Sequence, residues 1–463
     1  MSLELEQHTI QELFEAAIKT EDKIQIRNFL DDQNISDVAE LVYEFPEFEC
    51  QIIANMSVNR AASVFKILDL PTQKTIIREL PPVTTASLLN ELPADDRTDF
   101  LEELPSNVVR ELIKLLDPEE RKITLSLLGY PENSIGRLMT PDYVYVYPWN
   151  TIEEVFATIR KHGKDSETIN VIYVLNEKGE LLDDIRIRDF ILNPPDKKVS
   201  ELMDERFIAL LPDNDQETAA EVFKMNNRVA LPVVSKSNKL LGIVTIDDIL
   251  WVAAEEFSED MQKMGGTAAL NEPYLEIPIF KLFKKRIVWL VVLFLGEMLT
   301  ATAMAYFEDE IAKAVVLALF VPLIISSGGN SGSQASTLII QAMAVGELTI
   351  RDWWRVMRRE IISGLLLGGV LGLIGFFRIL VWHQFAPQIY GEHWMLIGIT
   401  VGISLLGVVL WGSLAGSMLP LVLKRLGADP AVSSAPFVAT LVDVTGLIIY
   451  FSVAFSVLSG SLL

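Results

Sequence analysis

Up to about Tyr130 the chain runs in short stretches with apolar residues at helical spacing, each closed by a proline step. The steps are Leu70-Pro71, Leu80-Pro81, Leu92-Pro93, Leu104-Pro105 and Asp117-Pro118. Proline is tolerated at a helix start but not in its interior, so each step predicts a new short helix. Glu-Leu-Pro recurs at Glu79, Glu91 and Glu103. Each such unit buries an apolar stripe against the next, which predicts a right-handed or solenoid-like helical stack. Stacks of this kind usually serve as docking or regulatory surfaces.

A second repeat follows. Leu138-Met139-Thr140, residues 143–147 and residues 151–160 are echoed by Leu202-Met203-Asp204, residues 207–211 and residues 216–225. Both copies continue into β-rich segments, 171–175 and 231–234. Each closes with a strand and an acidic helix start, 185–190 and 242–249. This strand–helix–strand–strand–helix order in tandem resembles a pair of CBS modules, most specifically in Leu231-Pro232-Val233-Val234 and Gly242-Ile243-Val244-Thr245-Ile246-Asp247-Asp248. The resemblance implies a dimerising regulatory plate, or a site for ATP or another adenine nucleotide with Thr245 and Asp248 at ribose and phosphate. Asp183-Asp184 depart from it, standing where a small residue usually precedes the closing strand.

Residues 251–278 predict a helical linker, ending near Pro273 and Pro278, with Glu255, Glu256, Glu259 and Asp260 on a solvated face. The hydrophobic pattern then changes scale. Crossing a hydrocarbon core of about 30 Å takes about 20 apolar residues. Five such stretches follow, at 287–306, 314–341, 361–385, 396–423 and 434–459. Lys281, Lys284, Lys285 and Arg286 precede the first. Arg351, Arg355, Arg358 and Arg359 lie between the second and third, and Lys424-Arg425 between the fourth and fifth. The positive-inside rule makes these flanks cytoplasmic, with the N-terminal body inside and the C-terminus outside. Glu308-Asp309-Glu310 and the Lys/Arg-free residues 386–394 agree with that orientation. The first residues are acidic and lack a basic-plus-apolar leader pattern.

Charge sharpens the division. Before Lys281 there are 27 Lys and Arg against 52 Asp and Glu, a net of 27 − 52 = −25; from Lys281 onward 12 against 10 give +2. An acidic body disfavours nucleic acid, which is bound through clustered Lys and Arg. It suits divalent cations, although charge for solubility gives the same balance. Cys50 is the only cysteine, which excludes an intrachain disulfide and a thiolate metal cluster. The four histidines show no paired ligand spacing. The expected domains are an acidic helical domain at 1–135, CBS modules at 136–200 and 201–257, a linker (plug) helix at 258–280 and a five-helix transmembrane domain at 281–463. The fold class is therefore a multidomain membrane protein, with an all-α superhelical domain, an α+β CBS pair and a helical membrane domain.

Two membrane segments carry candidate chemistry. Asp443 is the lone carboxylate of the last span, and a carboxylate at that depth is costly unless paired, wetted or bound to a cation. The alternative is a protonated or internally hydrogen-bonded Asp that ties two helices together. Ala439 and Thr440 stand about one turn earlier, on the same helix side. Asp429-Pro430 reads as a helix cap with proline at the first position. In the second span, Pro322 and residues 326–334 are too polar for a lipid-facing helix. Gly328 and Gly332 fit a close-packing motif, or a bent backbone whose carbonyls face a cavity. The Gly-Lys-Ser/Thr ending of a phosphate loop is missing. Glu297 in the first span either lines a route or bonds Thr300 or Thr302 as a packing element.

Pro-x5-Gly-Gly-Asn-x-Gly-x-Gln at 322–334 and Asp-Pro-Ala-x4-Pro-x3-Thr-Leu-x-Asp-Val-Thr-Gly at 429–446, with the domain order above, resemble the MgtE family of magnesium channels and transporters. The resemblance covers nearly the whole chain. It implies an inner-membrane homodimer whose pore runs between the second and fifth spans, embedded in the lipid bilayer. The selective point would be Asp443, helped by carbonyls near Ala439, with Asn330, Gly328 and Gly329 as the adjacent wall. Family members conduct Mg²⁺ and are closed by intracellular Mg²⁺ held between N-domain, CBS pair and linker. Asp95, Asp99, Asp247, Asp248, Glu256 and Glu259 stand at sensing positions. Ser63, Asn227 and Trp251 stand where Glu, Asp and Asp are expected, and Ala435 where Asn is. Fewer carboxylates weaken cation bridging, so Mg²⁺-driven closure is expected to be weak or absent.

Two rival readings are a transporter of Co²⁺, Ni²⁺ or Mn²⁺ and a membrane-anchored CBS sensor without transport. Borderline metals favour His or Cys ligands, and the spans offer only His383 near an end. A mere anchor needs neither a lone Asp nor a Gly-Gly-Asn stretch. No nucleophile–base arrangement points to an enzyme.

Overall fold

The computed structural model describes residues 2–19, 22–270, 274, 275 and 277–460, in two compact units, 1–254 and 255–463. Pro273, expected near the linker's end, lies outside the described residues.

The first unit begins with short helices, and each proline step opens one as expected. Leu70–Glu79, Pro82–Glu91, Ala94–Glu102, Ser106–Leu115 and Pro118–Leu127 all carry proline at the cap or in the first turn. A continuous core from Phe14 through Phe65 and Leu89 to Leu116 joins all but the last, whose Leu127 packs in a separate core with Ile135 and Leu231. A polar repeat accompanies the apolar one. Gln73 donates to the Phe65 carbonyl (2.8 Å), Arg97 to Leu89 (3.1 Å) and Arg121 to Ile113 (2.9 Å), each eight residues back. These side chains satisfy carbonyls that a helix end leaves without partners. Arg97 is fully buried, bonds Thr124 Oγ1 at 2.9 Å and pairs with Glu120. A buried guanidinium needs such a full set of acceptors.

Two α+β modules follow. In the first, β1 (Tyr143–Val146) pairs in parallel with β2 (Thr168–Leu175), which pairs antiparallel with β3 (Leu181–Arg186). Thr151 caps the helix Ile152–His162 in a reciprocal box with Glu154. The second copy departs from the expected order. Residues 207–211 form no full strand, only a parallel bridge from Leu210 to Val233 beside the hairpin of β4 (Ala230–Val234) and β5 (Leu240–Thr245). The first copy closes as expected, with β3 running into the helix Ile187–Ile191. Asp183 explains its own place in β3: its carboxylate accepts the backbone N–H groups of Asp184, Asp204 and Glu205 at 2.8 to 3.1 Å. The modules interlock through Thr140 and Ile243, which exchange both backbone bonds at 2.9 Å.

The linker helix Ile246–Met264 is shorter than expected and stops at Gly265-Gly266, where Gly266 has φ +73°. An L side chain there would be strained.

Five helices in the second unit are long and apolar enough to span a membrane: Ile279–Tyr306, Trp353–Phe385, Trp394–Arg425, Ala435–Leu458, and Val321–Ala344 with its leading turn Val315–Phe320. The Gly-Gly-Asn stretch is not bent. It lies inside the continuous helix Val321–Ala344, in which Gly328 and Gly332 serve helix packing. Methyl groups added at Gly412 and Gly416 of the fourth span would lie 2.3 Å and 2.1 Å from the carbonyl oxygens of Gly328 and Gly332. Ser331 and Ser413 bond across the same seam at 2.7 Å. Small residues let these backbones touch, the usual basis of helix association in lipid.

Candidate ion path and regulatory acids

Asp443 sits eight residues into Ala435–Leu458, about 12 Å along the helix. It is half-buried, and among the described residues it accepts no hydrogen bond and forms no ion pair. The internally bonded alternative is therefore unsupported. Gly329 faces it: a methyl group added there would lie 3.5 Å from both Asp443 Oδ1 and the Ala439 Cβ. Asp443, Ala439 and Gly329 thus come together as one small-walled surface bearing a carboxylate.

The other expected wall residues divide. Gly328 faces Val408 and Val442 and is a packing position. Asn330 is exposed on its helix. Thr440 lies three residues before Asp443, a neighbouring position on the helix surface; its hydroxyl bonds the Pro436 carbonyl at 3.0 Å, and its methyl meets Gly296 of the first span. Glu297, beside Gly296, is exposed and near enough to Asp443 for their charges to interact. Its proposed packing partners are otherwise engaged or bare. Thr302 donates to Met298, and the Thr300 hydroxyl is buried with no partner.

The start of the fifth span is tied to its neighbours. Asp429 caps Ala431 N–H at 2.8 Å, but this cap serves the short turn Pro430–Val432 and not the spanning helix, which begins at Ala435. Ser336 and Ser333 of the second span donate to the Ser433 and Ala435 carbonyls at 2.8 and 3.0 Å. Trp289 Nε1 of the first span donates to Ser434 Oγ at 3.1 Å.

In the first unit the structure gathers Asp95 and Asp248, with Asp247 nearby, and adds Asp96, Glu167 and Lys66, which the sequence reading missed. Asp95 is 6% exposed, and its Oδ1 is buried without a partner. Burial, then the charge of Asp248, holds its carboxyl well above the usual range. Burial also raises Asp248 to about 7, against a lowering hydrogen bond from Thr245 Oγ1 at 2.6 Å. Lys66 pairs with Asp96 at 3.3 Å. Among the described residues no three His, Cys, Asp or Glu side chains converge closely enough to hold a metal. The absent acids have local reasons or none. Asn227 caps its helix at φ 48°, a conformation Asn tolerates; Ser63 bonds the Asn59 carbonyl; Trp251 is 67% exposed, and nothing in the structure explains it. In the second unit Glu259 pairs with Lys263, and Glu256 lies one turn earlier on the linker helix.

Thr245 and Asp248, expected to meet a nucleotide, are bonded to each other. A cavity of about 260 Å³ lies elsewhere, lined by Arg186, Arg188, Arg206 and Arg228 together with Asp183, Asp184, Asp189 and Asp204. Arg228 pairs with Asp184 at 2.9 Å.

Comparison with known proteins agrees with this layout. Family models match as the MgtE divalent cation transporter domain at 321–453, the MgtE intracellular N domain at 33–133 and CBS domains at 135–194 and 199–255. The magnesium transporter MgtE of Thermus thermophilus is 40% identical over 345 residues, 74% of either chain. That of Bacillus subtilis is 30% identical over 339 residues, 73% of either chain. A solved structure of the soluble part of a magnesium transporter superposes with TM-score 0.52 at 25% identity, covering 54% of this chain and 99% of that one. With its helical N-domain, CBS pair and five apolar helices, the chain belongs to the MgtE family of divalent cation transporters.

Proposed function

We propose that this protein conducts Mg²⁺ across the inner membrane through a homodimeric pore, with Asp443 of each subunit as the selective point. The observation that carries this reading is the Asp443 carboxylate, unpartnered at membrane depth against Gly329 and Ala439. Two such carboxylates across a dimer axis repel unless a cation lies between them. Mg²⁺ gives up its water reluctantly, so a small-walled site with few carboxylates suits a hydrated ion. Asn330, exposed on a single chain, is available to the same path. The N-terminal body is cytoplasmic and the C-terminus outside, as the basic flanks indicate.

The acidic group around Asp95 and Asp248, and separately Glu256 and Glu259 on the linker, are regulatory positions in this reading. Asp99 joins the first set. With Ser63, Asn227 and Trp251 in place of acids, closure by intracellular Mg²⁺ is weak. An adenine nucleotide such as ATP is better served by the arginines of the CBS cavity than by Thr245 and Asp248, because guanidinium groups match phosphate geometry.

The experiment is ion uptake into liposomes holding the purified protein, comparing Mg²⁺ with Co²⁺ and Mn²⁺. Gradient-driven Mg²⁺ flux above either competitor is expected. Flux of Co²⁺ or Mn²⁺ without Mg²⁺, or no flux of any ion, would overturn the reading.

A further inference from the structure

Arg378 stands apart from the other arginines of the third span. Arg355, Arg358 and Arg359 lie in the first turns of Trp353–Phe385, whereas Arg378 lies seven residues before the opposite end. That places its Cα roughly 10 Å inside the helix end. The face it occupies is apolar and open: Ile374, Phe377, Val381, Trp382 and Phe385, at three- and four-residue spacing, are all exposed. A face of this composition on a spanning helix meets lipid.

Arg378 is exposed, and its guanidinium has neither hydrogen bond nor carboxylate partner among the described residues. It is held between two rings, with its carbon 5.8 Å from Phe320 and 5.9 Å from Trp382. Such contacts orient a cation without neutralising it. A charge left bare at this depth is costly, but an arginine stem is long enough to raise its head to the lipid headgroups. Trp382, Tyr390 and Trp394 mark that level, where aromatic residues collect. What a planar, oriented guanidinium lacks there is an oxyanion.

We propose that Arg378, braced by Phe320 and Trp382, is a binding site for the phosphate of an anionic phospholipid, whose acyl chains lie along Ile374, Phe377 and Val381. Phosphate takes the guanidinium fork in two parallel bonds. The apolar stripe assigns that phosphate to a lipid and not to a free ion, because only a lipid fills both parts of the surface. This inference does not depend on which cation is carried.

The test uses the full-length protein in phosphatidylcholine nanodiscs doped with phosphatidylglycerol, with bound lipid counted by native mass spectrometry. Wild type is expected to retain phosphatidylglycerol over phosphatidylcholine. R378Q should weaken that preference about tenfold, the scale of one lost charge-assisted bond. R378K keeps the charge without the fork and should lose part of it; it decides the matter if R378Q does not fold. Equal retention in wild type and variants would overturn the proposal. Displacement of the lipid by inorganic phosphate would overturn the assignment to lipid in favour of a free-anion site.

Discussion

Lys263 Nζ of the linker helix lies 2.7 Å from Asp429 Oδ2 in the turn before the fifth span, and the same ammonium pairs with Glu259 one turn back. Burial alone would lower the Lys263 pKa, but the hydrogen bonds it donates to Asp429 and Glu259 outweigh that and raise the value. Just beyond, Gly266 lies so close to Trp289 that an added methyl would sit 2.7 Å from its ring, and 3.4 Å from Pro436. The linker's end is therefore latched, through Asp429 and Pro436, to the turn and first residues that lead into the helix carrying Asp443. For a pair about one-third exposed the latch contributes about 1 kcal/mol, so Lys263→Ala should raise Mg²⁺ flux about fivefold if the latch favours the closed arrangement. Asp429→Asn should do the same. Flux equal to wild type in both variants, measured in liposomes, would remove the latch from gating.

The Asp95 and Asp248 carboxyls fix a pH dependence. Both have folded-state values above the ordinary carboxylate range, Asp248 at about 7, so the folded state binds protons that the unfolded chain releases. Stability therefore rises as pH falls through about 7 and is lost as pH rises through it. In chelator, the thermal midpoint of the full-length protein should be higher at pH 6 than at pH 8. Asp95→Asn with Asp248→Asn should flatten the difference. Added Mg²⁺ should restore stability mainly at pH 8, where protons do not compete. A midpoint that climbs with pH in chelator would contradict this account.

The seam between the second and fourth spans predicts a contrast among glycines. A methyl at Gly416 would meet the Gly332 carbonyl oxygen at 2.1 Å, whereas one at Gly369 of the third span would meet nothing within 4 Å. Gly416→Ala should destabilise by about 1–3 kcal/mol through overpacking, and Gly369→Ala should be neutral or slightly stabilising. Thermal unfolding in detergent checks both. Similar midpoints for the two variants would show that the seam yields.

Much of this was legible in the sequence because it rests on strong local signals. Proline steps fix where the N-terminal helices begin, and apolar length with basic flanks fixes the spans. Asp443 stood out because a carboxylate is rare in such a stretch. What escaped detection depends on tertiary partners. The Gly-Gly-Asn stretch stayed helical because Gly412 and Gly416 receive it across the seam. Residues 207–211 read as a strand by analogy with the first copy but found only one bridge. Glu167 and Lys66 carry no motif, and only folding brings them beside Asp96. The 24-residue spacing of Gln73, Arg97 and Arg121 was present in the sequence, as a polar repeat beneath the apolar one.

The central claim is that Asp443 is the selective point of a Mg²⁺ pore. The most direct measurement is Mg²⁺ flux into proteoliposomes, comparing wild type with Asp443→Ala after confirming that both have the same oligomeric state. The account predicts robust flux in wild type and none above background in the variant. Equal flux in both would contradict it and remove Asp443 from the ion path.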